Sequence, residues 1–392
     1  MRPCLAGRMG KRAMKIAFIR NEYDPYGGAE KFTQTLVDSL AQRGVEVHLF
    51  ARRWIESGNT KVHFHHIGGP QAPSLLRHAT FVFFVRRAVR REDFDLIQSN
   101  DRTLCQDVYR AGDGVHARWL ELRAPHQNYL RRFLVRINPF HHYLLWLERR
   151  LFEHPDLKAV IVNSNMVRHE ITSRFQIPNE RIHTIYNGVD LDRIRPENRL
   201  TIGNELRAEC GLASEIPVVL FVGSGFERKG LAHLLRGMAL AGGTARLWVV
   251  GKGGKRPYQR LAQELGLMSR VTFWGPHQDA LRFYAAADIF AFPTLYDPFS
   301  TAVLEALAAG LPVITTAQCG TAEIMSQGKE GFILSSPCAT AELGGYLNDL
   351  YYPNRRHIMS ANARKRAEAF PLERTIGELQ RLYRHLVKNN NT

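Results

Sequence analysis

Two short segments carry side chains that could hold a pair of phosphates. The first, Gly223-Ser-Gly-Phe-Glu-Arg-Lys-Gly230, follows an apolar run and precedes a helix-like one. Small residues let the backbone turn sharply, Arg228 offers a planar fork of donors, and Lys229 adds a mobile point charge. The same residues would also make a solvated basic turn, and they are not a Walker loop, whose glycine and Lys-Ser/Thr spacing is absent. The second segment is Asp297-Pro-Phe-Ser-Thr-Ala-Val-Leu-Glu305. Ser300 is placed to cap a helix whose first free amides, those of Thr301, Ala302 and Val303, would face an anion. Glu305 falls about one turn inside that helix, within reach of neutral hydroxyls rather than of the phosphates. Asp297 stands in the loop ahead, where an acid also simply complements the helix dipole. In the first half, Gly27 and Gly28 open a helix-like stretch, so the backbone there can approach a ligand closely, although a glycine pair is also an ordinary turn. A polar cluster, Asp107-Val-Tyr-Arg-Ala-Gly-Asp-Gly-Val-His116, ends another strand-like run and brings Asp113 and His116 close together in sequence.

The elements that must position these residues alternate. Strand-like runs at 15–20, 45–51, 94–98, 107–112, 158–163 and 182–186 are followed, after the polar stretch Asp190 to Thr201, by others at 217–223, 246–251, 271–275, 289–292 and 312–316. Between the first two, Phe32, Leu36, Val37 and Leu40 recur at helical spacing before Gly44. This alternation predicts an α/β fold of two doubly wound, Rossmann-like halves with parallel sheets. The boundaries read as a basic tail 1–13, a first domain 14–190, a second domain 191–371 and a terminal helix 372–392 packing back across the boundary. Ligands of open parallel sheets sit outside the strands' carboxyl ends, so two such halves would face an interdomain cleft. Met14 would serve as a start as well as Met1.

With 392 residues, 45% of them hydrophobic and 23% charged, the chain has material for two sizeable cores and is not globally disordered. Lys and Arg outnumber Asp and Glu by 53 to 37, a formal charge of +16 that favours a polyanionic partner. Five scattered cysteines with no metal-ligand spacing suit a reducing cytosol, and neither a membrane span nor a proper signal h-region is visible. Residues 116–150 interleave Arg118, Arg123, Arg131, Arg132, Arg136, Arg149 and Arg150 with Trp119, Tyr129, Phe133, Phe140, Tyr143 and Trp146. Such a segment suits an anionic membrane surface, could stack on single-stranded nucleic acid, or could be a covering helix with a solvated face.

Together, the Arg228-Lys229-Gly230 turn and the Asp297-to-Glu305 stretch, with its flanking Pro293-Thr-Leu-Tyr-Asp-Pro and Leu-Glu-Ala-Leu-Ala-Ala-Gly-Leu-Pro-Val-Ile-Thr-Thr text, resemble glycosyltransferase family four. The family carries an E-x7-E motif; here the spacing matches, with Asp297 in place of the first glutamate and so one methylene less reach. The resemblance covers about residues 14–386 and implies a retaining, GT-B-fold hexosyltransferase. It implies that Arg228 and Lys229 grip a donor diphosphate, Glu305 the ribose, Asp297 the sugar hydroxyls and Gly275-Pro276-His277 the base. It also puts Gly27 and Gly28 under the donor phosphates, and Asp113 and His116 on the acceptor side. The opening Tyr-Asp-Pro-Tyr-Gly-Gly text and the basic segment resemble the lipopolysaccharide core glucosyltransferases of that family. They imply a UDP-sugar donor, a phosphorylated lipid-linked acceptor, and peripheral attachment to the cytoplasmic face of the inner membrane, with no cofactor, metal or nucleic acid needed. A nucleotide-sugar epimerase of the same fold and a basic nucleic-acid-binding protein with a degenerate transferase fold are the competing readings.

Overall fold

The computed structural model describes residues 13–24, 26–54 and 59–389. Most of the tail 1–13, Cys4 included, lies outside these residues.

Seven strands form the first sheet: β1 (Lys15–Ile19), β2 (Glu46–Ala51), β3 (Val62–His66), β4 (Leu96–Ser99), β5 (Val108–Arg110), β6 (Ala159–Val162) and β7 (Ile182–Thr184), in the order β3-β2-β1-β4-β5-β6-β7. Six form the second: β8 (Val218–Val222), β9 (Arg246–Val250), β10 (Val271–Gly275), β11 (Ile289–Phe292), β12 (Val313–Thr316) and β13 (Gly331–Leu334), in the order β10-β9-β8-β11-β12-β13. Every pairing within both sheets is parallel. Parallel strands joined by crossover helices are covered on both faces, which is why β1, β8 and β11 read as continuous apolar runs and are buried along almost their whole length. Strand order reverses between β1 and β4 in one sheet and between β8 and β11 in the other, and ligand crevices open at such switch points.

Two strands escape the sequence pattern. β3 reads Val-His-Phe-His-His and lies at the open edge of its sheet, so it lacks the apolar run of a central strand. β13 is a four-residue edge strand, Gly-Phe-Ile-Leu, too short to stand out from its glycine-flanked surroundings. The basic segment folds as the helices His116–Arg123, Tyr129–Ile137 and Pro139–Phe152, with the side chains of Asn128 and Asn138 accepting from the amides of Arg131 and Phe140 to start the second and third. The third helix turns Leu144, Leu147, Leu151 and Phe152 inward.

The chain crosses between the halves twice at one place. Val189 donates its amide to Phe370 O at 3.0 Å and accepts from the amide of Leu372 at 3.0 Å. Beyond that crossing the helix Leu372–Asn389 belongs to the first half: Ile376, Leu379, Leu382 and Tyr383 join the core formed by Ile16, Phe18, Leu36 and Leu49. The Tyr383 hydroxyl donates to buried Gln98 Oε1 at 2.6 Å, and Arg43 donates to Gln380 Oε1 at 3.1 Å.

A candidate nucleotide-sugar cleft between the two sheets

The carboxyl ends of both sheets open onto a cleft of about 520 Å³ lined by residues of both halves. Two helices begin on opposite walls. Gly28–Gln42 starts after β1, and its first turn has no side-chain cap. Thr301–Ala308 starts after β11, and Ser300 Oγ accepts from the Val303 amide at 3.3 Å. The amides of Thr301 and Ala302 remain free of that cap, at the positive end of the helix dipole. The two starts almost touch, since a methyl group on Gly28 would stand 2.6 Å from Thr301 Oγ1. A side chain there would push the walls apart.

The donor-side wall is laced by its own backbone. The carbonyl of Arg228 accepts from the Leu295 amide at 2.8 Å and the Thr294 hydroxyl at 3.0 Å, while the Arg228 guanidinium donates to Tyr296 O at 3.1 Å. Gly230 must be glycine, because its φ is +79° and a Cβ would lie 1.9 Å from Pro293 O. Asp297 is pinned by the turn after β12, its amide donating to Gln318 O and its carbonyl accepting from Gly320 N. These bonds bring Lys229 and Asp297 together: the ammonium donates to Asp297 Oδ2, and it also lies 4.9 Å from the centre of the Phe292 ring. Their side chains are only 10% and 8% exposed. Burial, aided by neighbouring Arg228, lowers the Lys229 pKa below the usual lysine value despite Asp297. Glu305 faces the cleft above Tyr284, and burial raises its carboxyl pKa against the opposing pull of Tyr284 and Lys31.

The opposite wall is richer in arginine than its motif suggested. Arg20, directly after β1, donates to Glu30 at 2.5 Å, to Asn100 O at 3.2 Å and to Asp113 Oδ2 at 3.4 Å. Partial enclosure would raise the Asp113 carboxyl, but Arg20, Arg102 and Arg228 together hold it below its ordinary value. Its side chain is still 45% exposed to the open cleft. Buried Glu148 caps the His116–Arg123 helix, accepting from the amides of His116 at 2.8 Å and Ala117 at 3.3 Å, and Arg102 neutralises it at 3.0 Å. His116 Nε2 meets His141 Nδ1 at 3.1 Å, and burial together with Arg102 and His141 drives its pKa down to about 3. It therefore presents a neutral ring to the cleft.

The halves also touch directly. The Tyr296 hydroxyl accepts from the Val115 amide at 3.0 Å and donates to Glu170 at 2.7 Å, and Ser164 donates to Pro298 O at 2.7 Å. Glu323 accepts from the amides of Asn165 and Met166, and the Lys31 ammonium donates to Gln278 O.

The Glycosyltransferase Family 4 profile matches residues 26–193, and the Glycosyl transferases group 1 profile matches residues 204–366. The chain belongs to glycosyltransferase family four. A relative, the lipopolysaccharide glucosyltransferase WaaG of Escherichia coli (strain K12), is 27% identical over 362 residues, 91% of this chain and 94% of that one. The crystal structure of WaaG superposes with a TM-score of 0.82 at 24% identity, covering 93% of this chain and 98% of that one. Anabaena HepE, in complex with UDP and glucose, superposes with a TM-score of 0.72 at 21% identity, covering 94% and 99%. The two facing parallel-sheet domains are the GT-B architecture.

In this glycosyltransferase the cleft gathers Gly27, Gly28, Asp113, His116, Arg228, Lys229, Asp297, Thr301, Ala302 and Glu305. Val303 does not join them. It is fully buried, and its amide is consumed by the Ser300 cap, so the expected three free amides reduce to two. Pro276 is also off the lining, its place taken by the neighbouring His277. Arg20, Arg102, Lys31 and Tyr296 were not anticipated. Arg20 could have been found as the first polar residue after a buried strand; Arg102 and Tyr296 give no local signal, since their partners lie far along the chain.

Breaking the buried Lys229–Asp297 pair from one side leaves an uncompensated charge. Lys229→Met is therefore expected to lower the unfolding free energy by about 3–5 kcal/mol, and adding Asp297→Asn to recover most of it. Denaturant unfolding of the parent, both single variants and the double variant measures this; a double variant as unstable as Lys229→Met would mean the loss has another origin.

Proposed function

We propose that the protein transfers a hexose, with retention of configuration, from a UDP-sugar to a hydroxyl of a phosphorylated, lipid-linked glycan such as a lipopolysaccharide core. The observation that carries the reading is the convergence of two open helix starts, at Gly28 and Thr301, with Arg228 and Lys229 in one cleft, because that is a site for a dense anion held without charge of its own to spare. The glucosyltransferase relative and the UDP and glucose complex of a structural neighbour support the donor class.

In this reading Arg228, Lys229 and the amides of Thr301 and Ala302 bind the diphosphate, Glu305 the ribose hydroxyls and Asp297 the sugar. The bond between the anomeric carbon and the phosphate oxygen breaks and the electron pair leaves with the diphosphate. Positive charge grows on the sugar beside those phosphates, and the acceptor hydroxyl attacks from the same face. Its proton passes to the departing phosphate oxygen. The cations already in the cleft supply the neutralisation that a metal would otherwise give, and no resident cofactor is required. Neutral His116 and ionised Asp113 are placed to accept hydrogen bonds from acceptor or sugar hydroxyls. Simultaneous possession of the phosphate turn and the Asp297-to-Glu305 stretch favours transfer over a nucleic-acid-binding role.

The membrane partner is supported by the helix Tyr129–Ile137. It exposes Tyr129 (85%), Leu130, Phe133, Leu134 and Ile137 on one side, with Arg131, Arg132 and Arg136 beside them. The helix Ser74–Val89, packed against Pro139–Phe152, adds exposed Leu76, Phe83 and Phe84. Among the described residues no helix is long and apolar enough to cross a membrane. Apolar rings set among guanidinium groups suit attachment to an anionic leaflet, which supports peripheral work at the cytoplasmic face of the inner membrane.

Arg228→Ala and Glu305→Gln are expected to keep the fold while each weakens transfer from UDP-glucose by about 1.5–3 kcal/mol in kcat/KM, the worth of a charge-assisted hydrogen bond. Parent-like turnover in both would remove the donor assignment. The first product formed from an α-linked donor should carry an α linkage, read by proton NMR from the anomeric coupling; a β linkage would overturn retention. Vesicles containing anionic lipid should pellet the protein far better than neutral ones. Changing Arg131, Arg132, Arg149 and Arg150 to Gln should reduce that, at about 1 kcal/mol per charge, and undiminished pelleting would move the membrane face elsewhere.

A further inference from the structure

Away from the cleft floor, three residues far apart in sequence converge on one point at the seam between the halves. His126 ends the short turn Ala124–His126 that leads into the basic helix of the first domain. His233 lies on the helix Leu231–Ala241, directly after the Arg228-to-Gly230 turn of the second. Cys338 follows β13. The Cys338 sulfur lies 3.5 Å from His126 Nδ1 and 3.8 Å from His233 Nε2, and all three atoms fall within 4.8 Å of one another.

A thiol that donates to one ring nitrogen and accepts from the N–H of the other would account for both contacts only by two long, weak sulfur hydrogen bonds. A tetrahedral cation explains the whole arrangement. With metal–sulfur bonds of about 2.3 Å and metal–nitrogen bonds of about 2.0–2.1 Å, sulfur and nitrogen ligands stand about 3.6 Å apart, which is the spacing already present. We propose that His126, His233 and Cys338 form an interdomain site for a divalent cation of the zinc class, tying the basic segment of the first domain to the phosphate-turn helix of the second. One thiolate and two imidazoles are the ligand set such borderline-soft ions prefer over magnesium or calcium, and three protein ligands leave a fourth position for water. His126 and Cys338 are exposed, so the ion has an open path. The thiol must lose its proton on binding, so affinity rises with pH.

The site is separate from the sugar-transfer chemistry; its role is to fix the distance between the halves on one side of the cleft, where the Arg123–Glu227 ion pair at 3.8 Å already bridges them. It escaped the sequence because positions 126, 233 and 338 share no motif spacing.

Cobalt(II) is the probe, since a thiolate ligand gives it a near-ultraviolet charge-transfer band and a tetrahedral field intensifies its visible bands. Titration of the full chain should produce both at one equivalent, with a rise in melting temperature on adding zinc. Cys338→Ser should abolish the charge-transfer band and the thermal shift, whereas Cys210→Ser, at another exposed cysteine, should keep both. Since loss of even an outer partner of a metal costs about 10–100-fold in affinity, His126→Ala and His233→Ala should each weaken cobalt binding at least tenfold. No charge-transfer band, a band that survives Cys338→Ser, or unchanged affinity in either histidine variant would overturn the site. Binding without the band would instead report the His48, His65 and Glu92 cluster of the first sheet.

Discussion

A parallel sheet sends every strand's carboxyl end the same way, so the helices that follow all begin on one side with unpaired amides and the positive end of their dipoles. Here two such sheets face each other, and the helix starts at Gly28 and Thr301 come so close that a Cβ on Gly28 would lie 2.6 Å from Thr301 Oγ1. Everything charged in the cleft follows from that approach. The field of two helix starts already favours an anion, and arginines added to both walls deepen it. The buried carboxylates of Glu148 and Asp297 then offset the concentration of like charge on the walls.

The same constraint explains why some ionisable groups sit away from their ordinary state. Burial, with Arg102 and His141 beside it, keeps His116 neutral. Asp113, facing three guanidinium groups, stays ionised. Lys229 is less strongly held as a cation than a surface lysine because it is enclosed, and the Asp297 carboxylate offsets only part of that enclosure. The Arg228 turn is already ordered by bonds to Leu295, Thr294 and Tyr296, so under the proposed function an arriving diphosphate would cost little side-chain freedom there.

Much of this was legible before any coordinates. The central strands announced themselves as buried apolar runs, and Gly44 marked the end of the first helix at its positive φ of 83°. Arg228 and Lys229 stood out as charge in a glycine-flanked turn after a strand, and Asp297 and Glu305 as acids around a helix start at the spacing of the family's E-x7-E motif. What the sequence hid was pairing at long range. Nothing local says that Lys229 belongs to Asp297, or that Tyr296 reaches Val115 and Glu170 in the other half. Edge strands such as Val62–His66 are disguised because only one face and one side of them are satisfied by the sheet. Val303 misleads for a smaller reason: the residue that starts the helix takes the third amide for itself.

The crossing at Val189 and Phe370 to Leu372 gives the second half the topology of an inserted module. Its chain enters and leaves through adjacent backbone, while the helix Leu372–Asn389 returns to seal the core of the first half with Leu379 and Tyr383. The backbone link between the halves is thus confined to one place, and their relative placement is held by the side-chain contacts of Tyr296, Ser164, Glu323 and Lys31. The first half therefore borrows part of its core from a helix more than 180 residues downstream of its last strand, and residues 14–190 alone leave Ile16, Phe18, Leu36 and Leu49 without that cover.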